Sequence, residues 1–343
     1  MHKFNTAILS IIGIAMESQL DLSYWKEPLD DLNHLIENAQ SVFPEVKKHS
    51  EISWLEYTYG RFMLLAKEAY CLLSAGYPDG AMARVRTLAE LTVFAFFIYT
   101  AINKGYDTTI GQKYIDHDWV RKRVLFQEQL AVLNLQKRTT EVTEQKKIFR
   151  DQLKIANEKI KGFKTKYGSD FAKVEYGWAY LAIRELNKKN GKTIDKCGSR
   201  EPCCDETCCE NPCCKELRVT LASFRDAIDA GNIRYILELG NKAVHAGPFP
   251  SIIVFNDPSL ENRLICFGPV SQGLSEPIRG IGFCLQVILS LAYAATNEDK
   301  IKTVAEENDR SFNKIWPATM EAEKKALDVY KKTLKDLGLR DEA

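Results

Sequence analysis

The chain has 343 residues, of which 45% are hydrophobic, so it can bury a sizeable core as one large domain or two ordinary ones. Its 47 basic and 46 acidic residues nearly cancel. This balance excludes a global attraction to nucleic acid or anionic membrane, and any such binding needs a local patch. The apolar run at residues 6–16 is too short to span a bilayer, and no cleavage site follows it. We interpret it as the first core helix of a cytoplasmic protein.

Helical periodicity and capping signals predict helices along the first third of the chain. One covers residues 21–40 with an interruption at Pro28. Another opens at the capping box Ser53-Trp54-Leu55-Glu56 and runs to Ser74. The helix predicted at 79–102 is hydrophobic nearly all round. Such a helix is typical of a protein core, so we expect it to lie at the centre of the fold.

The segment 118–167 is long and highly charged. Alternating steps of three and four residues indicate a coiled-coil-like seam through it. The seam positions are Leu125, Glu128, Val132, Leu135, Thr139, Val142, Lys146, Phe149, Leu153, Ala156, Ile160 and Phe163. The β-branched patch at residues 139–143 predicts a break, and hence a hairpin of two helices. The hairpin is either an arm for dimerisation or partner docking, or an amphipathic hairpin folded onto its own domain. The preceding Asp116-His117-Asp118 is predicted to be a solvated loop.

The remaining elements complete a mostly α-helical prediction. Further helices are expected at residues 171–189, 215–230, 231–248, 277–295 and 311–337. Residues 251–256 and 263–267 read as two strands of one hairpin. The predicted fold class is therefore a mostly α multi-helix bundle with a long charged helical hairpin and one small β-hairpin. The predicted domains are N-terminal helices at 1–50, a core helical domain at 51–117 and 168–300, the arm at 118–167, a Cys-rich surface insertion at 193–216 and a C-terminal helix at 301–343.

Three Cys-Cys pairs at a five-residue repeat crowd residues 202–216, preceded by Cys197. The candidate metal ligands are Cys203, Cys204, Cys208, Cys209, Cys213 and Cys214. Dense thiolates can hold a structural zinc or another soft metal, although adjacent cysteines do not easily point at one ion. The alternative is a repeat-expanded surface loop with no defined role. Because the segment has almost no other apolar residue, we expect the fold not to require it.

The helix predicted at 231–248 carries a row of polar residues. Its members, Arg234, Glu238, Asn241 and His245, are spaced four, three and four residues apart, so helical geometry stacks them on one face. The row is either a solvated face, a satisfied hydrogen-bond network or a functional site.

A second pair of charges lies on the apolar helix predicted at 79–102. Arg86 and Glu90 are one turn apart and must pair with each other or with something nearby. If they face Arg234, Glu238 and His245, the helices enclose a charged pocket. Such a pocket could bind phosphate through arginine and use His245 as acid or base, or it could be a structural network that fixes helix register.

Three segments together carry a family resemblance. They are residues 83–90 (ARVRTLAE), residues 176–179 (YGWA) and residues 241–248 (NKAVHAGP). In this combination the chain resembles an uncharacterised bacterial helical family known only as a domain of unknown function (5677), with an expected match over about residues 50–295.

More distantly, the helix ending in Asn241-x-x-x-His245 resembles the HEPN superfamily of helical nucleotide-handling proteins. Many members are metal-independent ribonucleases of toxin or phage-defence systems, in which an arginine four to six residues before the histidine joins it at a dimer interface. Here Gly240 stands where that arginine often is, so Arg86 or Arg234 would have to supply the charge.

The resemblance implies a dimer that acts on RNA or a nucleotide without a required cofactor and without a membrane. His245 would be the general acid/base and Arg86 and Arg234 would hold phosphate, while Glu90 and Glu238 orient them beside Asn241. The alternative, from a different class, is a non-catalytic binding or scaffold module in which the cluster is structural and the arm docks a partner protein.

Overall fold

The computed structural model describes residues 21–189, 219–228, 233–244, 271 and 273–336. These residues are mostly helical and contain no β-strand. The β-hairpin predicted at 251–256 and 263–267 lies outside the described residues, as does the helix predicted at 6–16. The α-helices are α1 (Lys26–Ser41), α2 (Phe43–Lys47), α3 (Ser53–Ser74), α4 (Pro78–Asn103), α5 (Ile110–Asp116), α6 (Asp118–Leu135), α7 (Thr140–Tyr167), α8 (Tyr180–Lys189), α9 (Leu221–Ala227), α10 (Ile233–Val244), α11 (Ser275–Thr296) and α12 (Asp299–Asp336).

Several helix boundaries differ from the sequence prediction for local reasons. Pro28 does not interrupt α1, because it lies in the first turn, where its missing N–H costs no helical bond. The helix predicted at 171–189 is instead two 3-10 turns, Ser169–Ala172 and Gly177–Ala179, followed by α8. Tyr176 is in the left-handed region with φ of 56°, which a continuous helix does not allow. The terminal helix α12 begins well before residue 311 and continues through Pro317.

The helices belong to two compact units. Unit 1 comprises Met1–Glu51, Leu55–Ala95 and Gly231–Ala343, and unit 2 comprises Ile52–Trp54 and Phe96–Ala230. The domain division made from the sequence stays a prediction. Within the described residues, however, helices from the N-terminal and C-terminal parts of the chain pack in the same unit, since Asn308 Nδ2 on α12 donates to the Leu35 carbonyl on α1 at 3.1 Å.

The core of unit 1 joins segments that are far apart in sequence. Trp25 is fully buried, and its Nε1 donates to the Ser271 carbonyl at 2.6 Å. The hydroxyl of buried Tyr59 on α3 donates to the Ala39 carbonyl of α1 at 2.7 Å. Helices α11 and α12 approach closely at Gly282, where an added Cβ would lie 2.3 Å from the Phe312 ring. Only glycine fits this contact without repacking.

The core of unit 2 is an aromatic cluster around Trp178. This side chain is 1% exposed and stacks on Phe224 with ring centroids 5.3 Å apart, while Phe97 meets Phe224 edge-on at 5.0 Å. Gly177 precedes it, and a Cβ there would lie 2.6 Å from the carbonyl oxygens of Asp170 and Phe171. The YGWA segment therefore has a structural role, because its glycine allows the backbone of residues 170–171 to pack closely and its tryptophan fills the core.

Helices α6 and α7 form the predicted helical hairpin within unit 2. The break falls at residues 136–139, and the Thr139 hydroxyl accepts from the Val142 N–H at 3.2 Å to cap α7. Phe126 and Phe149 pack across the pair with centroids 6.2 Å apart. At its base the Tyr167 hydroxyl donates to Asp116 Oδ2 at 2.8 Å.

The predicted seam is correct on α7 and wrong on α6. Val142, Ala156 and Ile160 are buried as expected, whereas all four α6 positions of the seam are exposed. They are Leu125, Glu128, Val132 and Leu135. The helical phase restarts when the chain reverses, so α6 buries Val120 and Leu133 instead.

Two helices in the described part of the chain, Pro78–Asn103 and Ser275–Thr296, have the length and apolar composition of a membrane span. More than half of each apolar window is buried inside the protein, at 61% and 56%. Core helices of soluble proteins pass the same test, so this finding is weak evidence for a membrane.

Candidate functional site

The site begins with a close contact in unit 1 between α10 and α4. Gly240 on α10 is buried, and an added Cβ would lie 2.3 Å from the Arg86 Cβ and 3.2 Å from its Cα. Buried Ile233 and Leu237 lie on the same face of α10. A side chain at position 240 would therefore push the two helices apart. Position 240, where the HEPN resemblance implies an arginine, has no room for one, and the stem of Arg86 lies against it.

A second glycine brings α11 to the same part of α4. An added Cβ on Gly280 would lie 2.6 Å from Val85 Cγ1 and 3.8 Å from Ile236 Cγ2. Val85 and Arg86 are consecutive, so α4, α10 and α11 meet around these two residues. The prediction that α4 is a central helix is confirmed within unit 1, since Val85, Leu88 and Ala89 are fully buried.

Arg86 and Glu90 form an ion pair on α4. The distance from Arg86 Nη2 to Glu90 Oε1 is 2.9 Å, and the two side chains are 27% and 23% exposed. Arg86 Nε is buried and has no hydrogen-bond partner in the described part of the chain. The prediction that the two charges pair is confirmed, and the pair is half-buried rather than fully enclosed.

The polar row on α10 is at the surface. Arg234 Nε lies 2.6 Å from Glu238 Oε1, and their side chains are 64% and 55% exposed. Asn241 is also exposed. The predicted stacking of these residues on one helical face is present for Arg234 and Glu238. His245 lies outside the described residues, so the pocket of Arg86, Glu90 and His245 stays a prediction.

Sequence reasoning missed the polar residues that α11 and α12 contribute to this unit. Glu276 pairs with Arg279 one turn later, and the Arg279 guanidinium lies 4.5 Å from the centre of the Trp316 ring. Burial and the nearby Glu276 carboxylate raise the pKa of Tyr235 on α10. The i,i+3 spacing of Glu276 and Arg279 was a visible signal for the ion pair, but nothing in the sequence showed that Tyr235 lies beside it.

The Glu323 carboxylate on α12 caps the N-terminus of α11. Its two carboxylate oxygens accept from the N–H groups of Gly273 at 2.8 Å and Ser275 at 3.4 Å. Burial raises the pKa of Glu323, and the two backbone hydrogen bonds oppose that effect. A carboxylate at a helix N-terminus satisfies donors that the helix itself cannot, so Glu323 holds α11 in place from α12.

The candidate metal ligands lie outside the described residues. They are Cys203, Cys204, Cys208, Cys209, Cys213 and Cys214. Within the part of the chain that the structure describes, no group of three or more His, Cys, Asp or Glu side chains could hold a metal ion. The structural zinc and the dispensable character of this insertion both stay predictions.

The protein is thus mostly helical, and it has a half-buried ion pair, Arg86–Glu90, where helices α4, α10 and α11 meet. Residues 53–195 match the model of a family of unknown function (DUF5677), and the chain carries this family's domain over that segment. The match includes residues 83–90 and 176–179 but ends before residues 241–248, so it is shorter than the expected 50–295. No curated protein and no solved structure matches the chain significantly.

Replacing Glu90 by Gln tests the energetic weight of the ion pair. The substitution leaves the half-buried Arg86 guanidinium without its carboxylate, and we expect the free energy of unfolding to fall by about 1–3 kcal/mol. Solvent reaches about a quarter of each side chain, so the loss should be smaller than the 3–5 kcal/mol typical of a fully buried pair. Urea unfolding followed by circular dichroism measures it.

The exposed pair on α10 is a matched control for that experiment. Arg234 and Glu238 have the same residue types and the same spacing of four, so Glu238→Gln should cost only about 0.5 kcal/mol or less. Equal losses for the two substitutions would show that burial gives the Arg86–Glu90 pair no special weight.

Proposed function

We propose that this chain is a HEPN-like helical protein that acts on RNA as a homodimer, as a metal-independent endoribonuclease of a toxin or phage-defence system. The observation that carries the proposal is the Arg86–Glu90 ion pair, in which the stem of the Arg86 side chain lies against Gly240. The Cβ and Cγ of Arg86 lie against Gly240, where HEPN sequences often carry an arginine, so the Arg86 guanidinium would supply that charge. Asn241 follows Gly240 directly, and His245 follows four residues later.

In the proposed reaction the His245 imidazole takes the proton from an RNA 2′-hydroxyl, whose oxygen attacks the adjacent phosphorus. The bond from phosphorus to the 5′ oxygen breaks, and the proton is returned to that oxygen. The products are a 2′,3′-cyclic phosphate and a 5′-hydroxyl, and the imidazole is unchanged. Arg86 and Arg234 would neutralise the phosphate charge that develops, while Glu90 and Glu238 hold the two guanidinium groups.

The alternative function is a non-catalytic binding or scaffold module that docks a partner protein. One observation favours it: Arg234 and Glu238 form an exposed pair, which is how a solvated helix face looks. Exposed aliphatic side chains on the hairpin arm, among them Leu135 and Ile148, would suit a protein partner.

Cleavage of RNA by His245→Ala protein separates the two functions. Purified wild-type protein incubated with total RNA or tRNA should yield fragments with cyclic phosphate ends, equally with and without EDTA, since the proposed chemistry uses only side chains. The His245→Ala protein should lose cleavage by at least about 100-fold, the usual contribution of a general acid/base. Its melting temperature should stay near that of the wild type.

The control is His34→Ala, which removes an exposed histidine of α1. It should cleave RNA like the wild type. A folded His245→Ala protein that remains fully active, or a wild-type protein that cleaves no RNA, would contradict the catalytic proposal and favour the binding module.

A further inference from the structure

One flank of α7 carries a row of basic side chains, which we call the basic stripe. Its members are Lys146, Lys147, Arg150, Lys154, Lys161 and Lys164. At 100° per residue all six fall within about 100° of the helix circumference, and from first to last they span about 27 Å. The arm as a whole, residues 118–167, has 13 basic and 6 acidic residues, although the chain has a net charge of only +1. The arm therefore concentrates positive charge.

The charges of the basic stripe are open to solvent. Five of the six side chains are exposed and Lys146 is half-buried. None of them forms an ion pair within the described residues, whereas Lys122 and Lys173, elsewhere in unit 2, pair with Asp118 and Asp170. Unpaired cations in a row attract a polyanion, since neutralising them with phosphates releases counterions.

The surface around the stripe limits what can bind there. A shallow groove along it is lined by Arg150, Leu153, Lys154, Asn157, Glu158 and Lys161. Glu144, Asp151 and Glu158, spaced seven residues apart, form an acidic edge on one side. This edge confines an anionic ligand to a single row of contacts. None of the groove residues is aromatic, so the groove offers no platform on which unpaired bases could stack.

A membrane surface fits this arrangement poorly. Exposed Ile148 and Ile155 lie beyond the acidic edge, well over 90° around the helix from the centre of the stripe. An interfacial helix needs its cations at the rim of the apolar face that enters the lipid. Here acidic residues separate the two, and they would face anionic headgroups.

We propose that the basic stripe binds the sugar–phosphate backbone of a nucleic acid duplex, without reading its sequence. A duplex presents a continuous backbone and no unstacked bases, which suits a row of cations without aromatic neighbours. The choice of RNA over DNA rests on the proposed function, but the phosphate binding does not. All the residues involved lie in unit 2, and none is a proposed catalytic residue.

The test is fluorescence anisotropy of a labelled 20-base-pair RNA duplex with the full chain between 50 and 200 mM salt. With six phosphate contacts, log Kd should rise with log salt with a slope of about 5. The triple variant Arg150→Gln, Lys154→Gln and Lys161→Gln should lower this slope by about 3 and weaken binding at least tenfold at 150 mM salt.

A matched triple variant removes the same charge elsewhere on the arm, at Arg121, Lys159 and Lys166, each changed to Gln. It should bind at least five times more tightly than the stripe variant. Equal affinities of the two variants, no duplex binding by the wild type at 50 mM salt, or a stripe defect seen only with phosphatidylserine vesicles would each overturn the proposal.

Two further binding measurements distinguish this proposal from the catalytic one. His245→Ala protein should bind the RNA duplex with wild-type affinity, because His245 is not part of the basic stripe. A wild-type protein that binds the duplex but cleaves no RNA would contradict the ribonuclease proposal and support the proposal for the stripe. A DNA duplex of the same sequence should bind through the same residues. Binding of DNA but not of RNA through the stripe would contradict the choice of RNA, while it would support phosphate binding by the stripe.

Discussion

The Asp107→Asn substitution is expected to lower the free energy of unfolding by about 3–5 kcal/mol. Asp107 Oδ2 lies 2.5 Å from Lys113 Nζ, and each side chain is only 8% exposed. The other carboxylate oxygen accepts from the Thr109 N–H at 3.0 Å and from its hydroxyl at 2.8 Å. An amide keeps an oxygen for those two bonds, but its nitrogen cannot accept from the Lys113 ammonium. The substitution therefore removes the charge and the hydrogen bond to Lys113, and it leaves Lys113 buried without its partner.

Two controls accompany the urea unfolding measurement. The double variant Asp107→Asn, Lys113→Met removes both charges and should recover most of the loss, because no uncompensated charge remains. The pair of Asp118 and Lys122 on α6 is 44% exposed on both sides, so Asp118→Asn should cost less than about 1 kcal/mol. A loss below 1 kcal/mol for Asp107→Asn would mean that water reaches the Lys113 ammonium.

Acidification should destabilise unit 2 through His117. The side chain is 2% exposed, lies edge-on to Phe171, and its Nε2 donates to the Lys173 carbonyl at 2.8 Å. Burial lowers the pKa of His117 to about 4, and the bond to Lys173 opposes this only in part. In the unfolded chain His117 has its ordinary pKa near 6.5, so the unfolded state takes up the proton first as the pH falls. The stability contributed by neutral His117 is therefore complete above about pH 6.5 and is lost toward pH 4, by about 3 kcal/mol in all.

The measurement compares urea unfolding of the wild type and of His117→Gln at pH 7.5 and pH 5. Glutamine can still donate to the Lys173 carbonyl but does not titrate in this range. The wild type should lose about 2 kcal/mol more than the variant over this interval. Hydrogen bonds to Glu298 and Glu51 raise the pKa of His49, which acts in the opposite direction. Since both proteins contain His49, the difference isolates His117, and equal pH profiles would contradict its buried neutral state.

His117 also shows where sequence reasoning about the fold fails. Its two aspartate neighbours indicated a solvated loop, but α5 ends at Asp116, α6 begins at Asp118, and the histidine between them is buried. Local polarity does not reveal that the Lys173 carbonyl, 56 residues away, accepts a hydrogen bond from the His117 ring. By contrast, helices such as α3 and α4 were predictable, because apolar periodicity and turn signals are local properties.

The candidate site also has features that the sequence could predict and features that it could not. The Arg86–Glu90 pair was predictable because two charges one turn apart on an apolar helix have each other as the nearest partner. The meaning of Gly240 was not, since its contact with Arg86 joins positions more than 150 residues apart in the chain. The basic stripe could have been predicted from the charge of residues 118–167 taken alone, and the near-zero charge of the whole chain concealed it.

The order of segments in the two units has a consequence for how the protein is made. Trp25 leaves the ribosome 246 residues before Ser271, whose carbonyl it needs as a partner. At about 5–20 residues per second, that delay is roughly 10–50 seconds. Unit 2 is complete by residue 230, while α1, α3 and the first part of α4 still await α11 and α12. Nascent chains therefore carry an unfinished apolar surface at their N-terminal end, and a chaperone that shields it would act before synthesis ends.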